Sequence, residues 1–326
     1  MDKAAKKNSW VSDNGIWVVL IVLVVLASIA TGGKFATVGN ATTLLTSESV
    51  KGIMAFGVAL AILSKGIDLS TGAVAALSGV VGAALCQLEG GSKLWGTSTM
   101  PAIVGILAAV AIGVFVGFLN GAMVAYLHLH PFIATLGTQL MCRATAKMIS
   151  NKPVSNLSDG YRFLGRFHSG AFYMIVVVFL IFCICLGFML NFTRFGKSIY
   201  AIGGNDQAAR VAGINVEHSL VKVYMWCSLC AAVAGVLLGG RTGSVDPSTT
   251  GLNYELDAIA AATVGGTSQT GGICRISGVI CGILIMGVIN NGLVMMGVDD
   301  NVTNIIKGLI IIGSVAFDMR KNRVKV

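Results

Sequence analysis

Apolar residues fall in long blocks along this chain, at 16–32, 44–64, 69–88, 101–127 and 131–149 in the first half and at 171–191, 220–240, 257–273, 276–296 and 303–318 in the second. A helix needs about 20 such residues to cross the hydrocarbon core of a bilayer. The pattern therefore predicts an all-α, polytopic bundle of about ten membrane helices. The block at 257–273 is short and rich in Ala and Gly. Blocks extend from residue 16 to residue 318 with no polar stretch able to fold apart, so 1–326 reads as one transmembrane domain. Its polar parts are a tail at 1–15, a loop at 193–219 and a basic tail at 319–326. Lys3, Lys6 and Lys7 precede the first block as they would in a signal peptide. The rest of the chain is membranous too, and the block reads as a retained first helix.

Composition agrees: 55% of residues are hydrophobic, 11% are charged and the mean hydropathy is +0.82, against roughly 25% charged in an average globular domain. The net charge of +9 could suggest nucleic acid, but the basic residues cluster at the ends and in one loop, and no basic run is interleaved with aromatics. In a membrane protein that distribution reports orientation. Lys3, Lys6, Lys7, Lys65, Arg194, Lys197, Arg210, Arg275, Arg320, Lys321, Arg323 and Lys325 fall on one side, and Lys34, Lys93, Lys152, Arg162, Arg166 and Arg241 on the other. The bias predicts that both termini and the loop 193–219 face the cytoplasm. The 8 cysteines sit mostly within apolar blocks and read as small core residues, Cys227 and Cys230 included.

Gly113, Gly117 and Gly121 recur every four residues, and Gly278 and Gly282 repeat the spacing. Such stripes let helix backbones approach closely, either as fixed packing or as a sliding interface. Ser78–Gly82 echoes Ser277–Gly282, and Asn120–Gly121 echoes Asn291–Gly292, which hints at an internal structural repeat.

Within the polar loop, residues 203–213 predict a short capped helix. Asn205 can cap its first amides. Asp206 and Arg210 suit the positive and negative ends of its dipole, and Gly213 can supply the left-handed stop. The segment Asn205–Gly213, with Ala208 and Ala209 on it, reads either as a stable surface helix or as a rigid knob for a groove in another protein.

Four motifs stand in order along the chain. They are Gly66-Ile-Asp-Leu-Ser-Thr-Gly72, Pro131-Phe-Ile-Ala-Thr-Leu-Gly-Thr138, the run from Thr193 through Tyr200-Ala-Ile-Gly-Gly-Asn205 to Ile214, and Glu255-Leu-Asp-Ala-Ile-Ala260 followed by Gly265–Ser268 and Gly271-Gly272. Together they resemble the permease subunits of bacterial ABC importers for ribose, xylose, galactose and related monosaccharides. The resemblance implies a plasma-membrane subunit that pairs with a second copy of itself, with cytoplasmic ATPase modules and with an extracytoplasmic sugar-binding protein. It implies that 205–213 is the coupling helix, and that ATP is bound by the partner subunit while this chain holds no cofactor. Two positions depart from the family pattern: Lys65 and Cys274 stand where glycine is usual.

The residues agree that energy comes from another chain. Gly265-Gly-Thr-Ser-Gln-Thr-Gly271 is glycine-rich but lacks the lysine of a phosphate loop. Mid-helix carboxylates are scarce, which argues against a proton-coupled carrier. Glu48 and Lys51 can pair along one helix face. Arg143 and Lys147 can reach an interface, and Lys307 has Asp299 and Asp300 nearby in sequence. A neutral sugar needs hydrogen-bonding side chains along its path, and the candidates are Asn120, Thr135, Thr138, Gln139, Asn290 and Asn291. Each could equally be an interhelical bond. His128 and His130 flank Pro131 and read as an interfacial turn. In the outer loop, Lys152, Arg162 and Arg166, set against Asp159, are candidates for docking a soluble partner. The runner-up function is a secondary transporter or channel for a small polar solute. A membrane enzyme ranks below it, because no nucleophile, base and orienting group converge.

Overall fold

The computed structural model describes residues 3–89, 94, 95, 99–170 and 172–321. Lys93, Arg323 and Lys325, used above for orientation, lie outside the described residues, as does 322–326 of the expected basic tail. The described helices are α1 (Lys3–Ala30), α2 (Val38–Leu63), α3 (Thr71–Leu85), α4 (Ala102–Ala125), α5 (Pro131–Ile149), α6 (Asp159–Arg166), α7 (Met174–Phe192), α8 (Arg194–Gly204), α9 (Asp206–Val211), α10 (Val216–Thr242), α11 (Tyr254–Val264), α12 (Ile276–Met295) and α13 (Asp300–Lys321). A short hairpin of two-residue strands, β1 (His168–Ser169) with β2 (Phe172–Tyr173), closes the segment between α6 and α7.

An all-α membrane bundle results. Among the described residues, α2, α4, α7, α10, α12 and α13 are long and apolar enough to cross a bilayer. Of the other apolar blocks, 131–149 is α5 as read, whereas the following stretches differ from a plain reading of hydropathy. Residues 3–15, expected as a tail, are the first turns of α1. The block 69–88 is helical only from Thr71 to Leu85, after an extended run at 66–70. The block 257–273 is not one continuous helix: α11 is 11 residues long, about 16 Å at 1.5 Å per residue, and the chain from Gly265 to Arg275 is irregular. Glycine explains that irregularity, since Gly266, Gly271 and Gly272 all take positive φ, which a continuing helix would not permit.

α2 and α10 form the centre, and α7 and α13 keep most of their surface outward. The glycine stripes do what their spacing predicts. A Cβ on Gly117 would lie 2.4 Å from the Tyr224 carbonyl oxygen and 2.7 Å from Met225 Cα, and one on Gly121 2.6 Å from Val221 Cα, so α4 rests directly on the backbone of α10. Gly282 approaches the Ala261 carbonyl of α11 in the same way. The CxxC pair belongs to this packing, with the Cys227 backbone and Cys230 Cβ lying against Gly57 of α2.

The contact at Gly117 leaves no room for a side chain. Gly117→Leu must separate α4 from α10, and overpacking of this kind costs about 1–3 kcal/mol or more. Thermal unfolding of the detergent-purified protein should show a lowered midpoint; an unchanged midpoint would mean that the stripe does not set the spacing of the two helices.

Candidate functional site

Three polar regions break the apolar bundle. The first is the segment after α7. Thr193 caps α8 by accepting from the Gly196 amide at 3.1 Å. Asn205 ends α8 and caps α9, its Oδ1 accepting from the Ala208 amide at 3.0 Å. Such a cap contributes about 1 kcal/mol. Gly213 takes φ +80, as a left-handed stop requires. The helix itself is shorter than the expected Asn205–Gly213: α9 has 6 residues, Asp206–Val211. Arg210 pairs with Glu217 at the start of α10. Ala208 is exposed, whereas Ala209 is buried among Ile202 and Val216, so Ala209 supports α9 and only Ala208 is open to a partner. Val211 stands out at 90% exposure, an apolar tip that sequence reasoning missed.

The same segment is bolted to the bundle. A Cβ on Gly203 would collide with the Leu63 carbonyl at the end of α2 and with the Gly272 amide. Gly272 in turn donates to Leu63 at 2.9 Å. Tyr200 donates to the Cys274 carbonyl at 2.6 Å, and burial pushes its phenol up to about 12, which keeps the donor protonated at physiological pH. α8 is thereby joined to the end of α2 and to the loop that follows α11. Lys65 lies in this junction at φ 63, a conformation that explains why glycine is usual there. Cys274 is buried and receives the Thr267 hydroxyl at 3.4 Å.

The second region is the middle of the bundle, where the extended run 66–70 leads into α3. Asp68 accepts from the Ser70 amide at 2.9 Å and from its hydroxyl at 2.6 Å, an Asx-type turn that starts the helix. Asn120 donates to Ser70 Oγ at 2.9 Å and accepts from Thr138 at 2.6 Å, while Thr135 accepts from the Leu69 amide at 3.2 Å. The structure thus brings three of the nominated path residues together, and their hydrogen bonds pair the Leu69 amide and the Ser70 hydroxyl at this break. Gln139 lies one step further along α5 and donates to Glu255 of α11 at 3.1 Å. Asn290 and Asn291 are elsewhere on α12, where Asn291 donates to Asn40 at 2.7 Å.

Around the start of α11 the charges group in a way the sequence did not suggest. Lys51 pairs with Glu48 at 3.3 Å, as its spacing predicted, and also with Asp257 at 3.1 Å. Lys307 pairs with Asp257 at 3.1 Å; the expectation of Asp299 or Asp300 as its partner is wrong, because those residues sit a full two turns away at the helix start. Arg143 does not reach out to an interface either. It donates to the carbonyls of Pro247 and Thr250 at 3.1 and 2.7 Å, which secures the irregular chain leading into α11. The signals for Asp68, Glu255 and Asp257 were present as acidic residues interrupting apolar blocks, inside motifs read only for their resemblance.

The third region is the segment between α5 and α7. Tyr161 of α6 is buried and anchors the helix by donating to the Gly79 carbonyl at 3.4 Å. Lys152 and Arg166 are exposed, but Arg162 is half-buried against Gly243, so two of the three docking candidates face outward.

An all-helical membrane bundle broken by polar junctions in its middle, with a capped helix bolted beneath it, defines a transport subunit. The chain belongs to the permease-component family described as "Branched-chain amino acid transport system / permease component", whose model matches residues 40–315. It is 40% identical over 323 residues to the galactose/methyl galactoside import permease protein MglC of Salmonella typhimurium, covering 96% of each chain. It is 37% identical over 322 residues to the ribose import permease protein RbsC of Escherichia coli, covering 96% of this chain and 95% of the relative. To the D-allose transport system permease protein AlsC of Escherichia coli it is 35% identical over 308 residues, covering 93% and 90%. No solved structure matches the chain.

The left-handed backbone at Lys65 carries a penalty of about 1–2 kcal/mol for a residue with a Cβ. Lys65→Gly should therefore raise the thermal unfolding midpoint; a lowered midpoint would mean that the lysine side chain, which reaches the Gly204 carbonyl at 3.4 Å, outweighs the strain.

Proposed function

We propose that the chain is the membrane permease of an ATP-driven monosaccharide importer, working as a homodimer with a cytoplasmic ATPase and an extracytoplasmic sugar-binding protein. The full-length likeness to permeases named for galactose, ribose and allose carries this reading. The family description names amino acids, but these relatives align over nearly their whole length and their names all specify sugars. ATP is bound by the partner, and both termini, Lys65 and α8–α9 face the cytoplasm, as the basic residues favour. Counting α1, α5 and the short α3 and α11 with the six clear spans gives about ten crossings in a bacterial plasma membrane.

An internal repeat fits this arrangement, with α2–α5 matching α10–α13. In each half a long central helix is followed by an irregular lead and a short helix, α3 or α11. The next helix packs on the short one through glycine, Gly105 on Gly82 in the first half and Gly278 on Gly265 in the second. Asn120 and Asn291 fall on equivalent helices in this scheme, whereas the Ser78 and Ser277 segments do not.

The coupling element is α9 with its cap, presenting Asn205, Asp206, Ala208, Arg210 and Val211 to the ATPase. Because α8 is joined to the end of α2 and to the loop after α11, a push on α9 reaches the lead of α3 and the C-terminal end of α11. Lys152 and Arg166 serve the encounter with the binding protein, where surface charge governs rate more than affinity.

Co-purification of the ATPase tests this directly. Val211→Glu and Ala208→Trp leave the bundle folded, since both side chains are exposed, yet should reduce ATPase recovery by about tenfold or more if α9 enters a partner's groove. Full recovery together with normal sugar uptake would reduce α9 to a capped surface helix.

A further inference from the structure

α5 packs on α3 and α4, α13 packs on α11 and α12, and α3 meets α11. The outer face of the start of α11 therefore lies in a trough with α5 on one side and α13 on the other. Both walls show apolar residues outward, Leu136 and Leu140 on α5 and Ile305 and Leu309 on α13. The floor is different. It carries Tyr254, Gln139, Lys51 and Lys307, all half-buried, with Leu252 and Leu256 exposed between them.

Depth makes this floor informative. Lys51, Gln139 and Lys307 lie well inside α2, α5 and α13, and α11 spans about 16 Å, roughly half of a 30 Å hydrocarbon core. The side chains of Lys51 and Lys307 keep 14% and 19% exposure. Ammonium groups at that depth pair with carboxylates and face the bundle interior or a water-filled cavity. These two are paired with Asp257 yet stay partly open on the trough, which suits contact with water or a polar solute rather than with lipid.

We propose that this floor is the station at which the monosaccharide is recognised during its passage, an inference that rests on the sugar-permease function proposed above. A sugar ring offers hydroxyls that both donate and accept, and an apolar C–H face. The floor offers the matching set. Gln139 gives its amide N–H to Glu255, which leaves its carbonyl oxygen to accept from a hydroxyl. The ammonium groups of Lys51 and Lys307 each have three donors and are aimed by Asp257 at 3.1 Å. The Tyr254 ring, 5.4 Å from Lys51 Nζ, provides a flat apolar platform with a hydroxyl at its end. The charges of Glu48, Lys51, Asp257 and Lys307 cancel, so the floor is polar without a net charge that would hold an ion. Glu255 and Asp257 are buried beneath it and act as positioning residues.

The test uses the permease assembled with its ATPase in proteoliposomes, supplied with the binding protein loaded with galactose or ribose. Gln139→Ala and Tyr254→Ala should lower sugar uptake about tenfold, the loss expected for one strong polar or stacking contact, while ATPase recovery stays normal. Tyr254→Phe should retain most uptake. Glu255→Gln should change the ratio of galactose to ribose uptake, a readout that a purely structural role would not move. Unchanged uptake and selectivity in Gln139→Ala and Tyr254→Ala would overturn the proposal. So would a loss strictly proportional to lost assembly, which would make the trough a dry contact between copies. A wild-type complex that couples ATP hydrolysis to no monosaccharide would overturn the sugar-permease reading itself, and the station with it.

Discussion

Backbone amides and carbonyls cannot be left unpaired inside a bilayer, and this chain leaves the helix twice at membrane depth. The rest of the structure is organised around satisfying those two breaks. One face of α5 serves both. Thr135 and Thr138 attend to the lead of α3, directly and through Asn120, while Gln139 and Arg143 attend to the lead and first turn of α11. These four residues stand at i, i+3, i+4 and i+8, which places them along one side of a helix. At the meeting point, Gly72 of α3 lies against the Glu255 carboxylate and the Gly251 carbonyl. A residue without a side chain is needed there, because the starts of two short helices share one small volume.

That arrangement also explains how a push from below could reach the middle of the membrane. α8 touches the end of α2, where the lead of α3 begins, and the loop after α11, at the opposite end of α11 from its lead. Helices are stiff over such lengths, and the leads are where φ and ψ can change. The junction of Gly203, Leu63 and Gly272 thus joins α8 and α9 to the first break and to the far end of α11, with Asp318 of α13 held on the same loop by Ser268 at 2.9 Å.

Much of this was legible in the sequence. Hydropathy located the long helices, because α2, α4, α7, α10 and α12 need no more than a sustained apolar run. Capping chemistry located α9, since Asn205 and Gly213 act over three or four residues. The breaks were not legible, because an extended segment shielded by neighbouring helices is as apolar in composition as a helix: the runs around Leu69 and Gly265 look alike in hydropathy to true spans. Long-range partners were hidden for a related reason. Gln139 and Glu255 are 116 residues apart and Lys307 and Asp257 are 50 apart, and nothing local in either sequence neighbourhood names the other. The helix α9 was overestimated in length because its C-terminal stop begins at Ala212, one residue before the glycine that marks it.

The most direct test of the shared break is the thermal stability of Gly72→Ala measured beside Gly187→Ala. A Cβ on Gly72 would lie 2.1 Å from Glu255 Oε2 and 2.3 Å from the Gly251 carbonyl oxygen, whereas one on Gly187 of α7 meets nothing within 4 Å. The two substitutions should move in opposite directions. Gly187→Ala should gain about 0.5–1 kcal/mol from the higher helix preference of alanine, and Gly72→Ala should lose about 1–3 kcal/mol as the two helix starts are forced apart. A Gly72→Ala protein that unfolds at or above the wild-type midpoint would contradict the account.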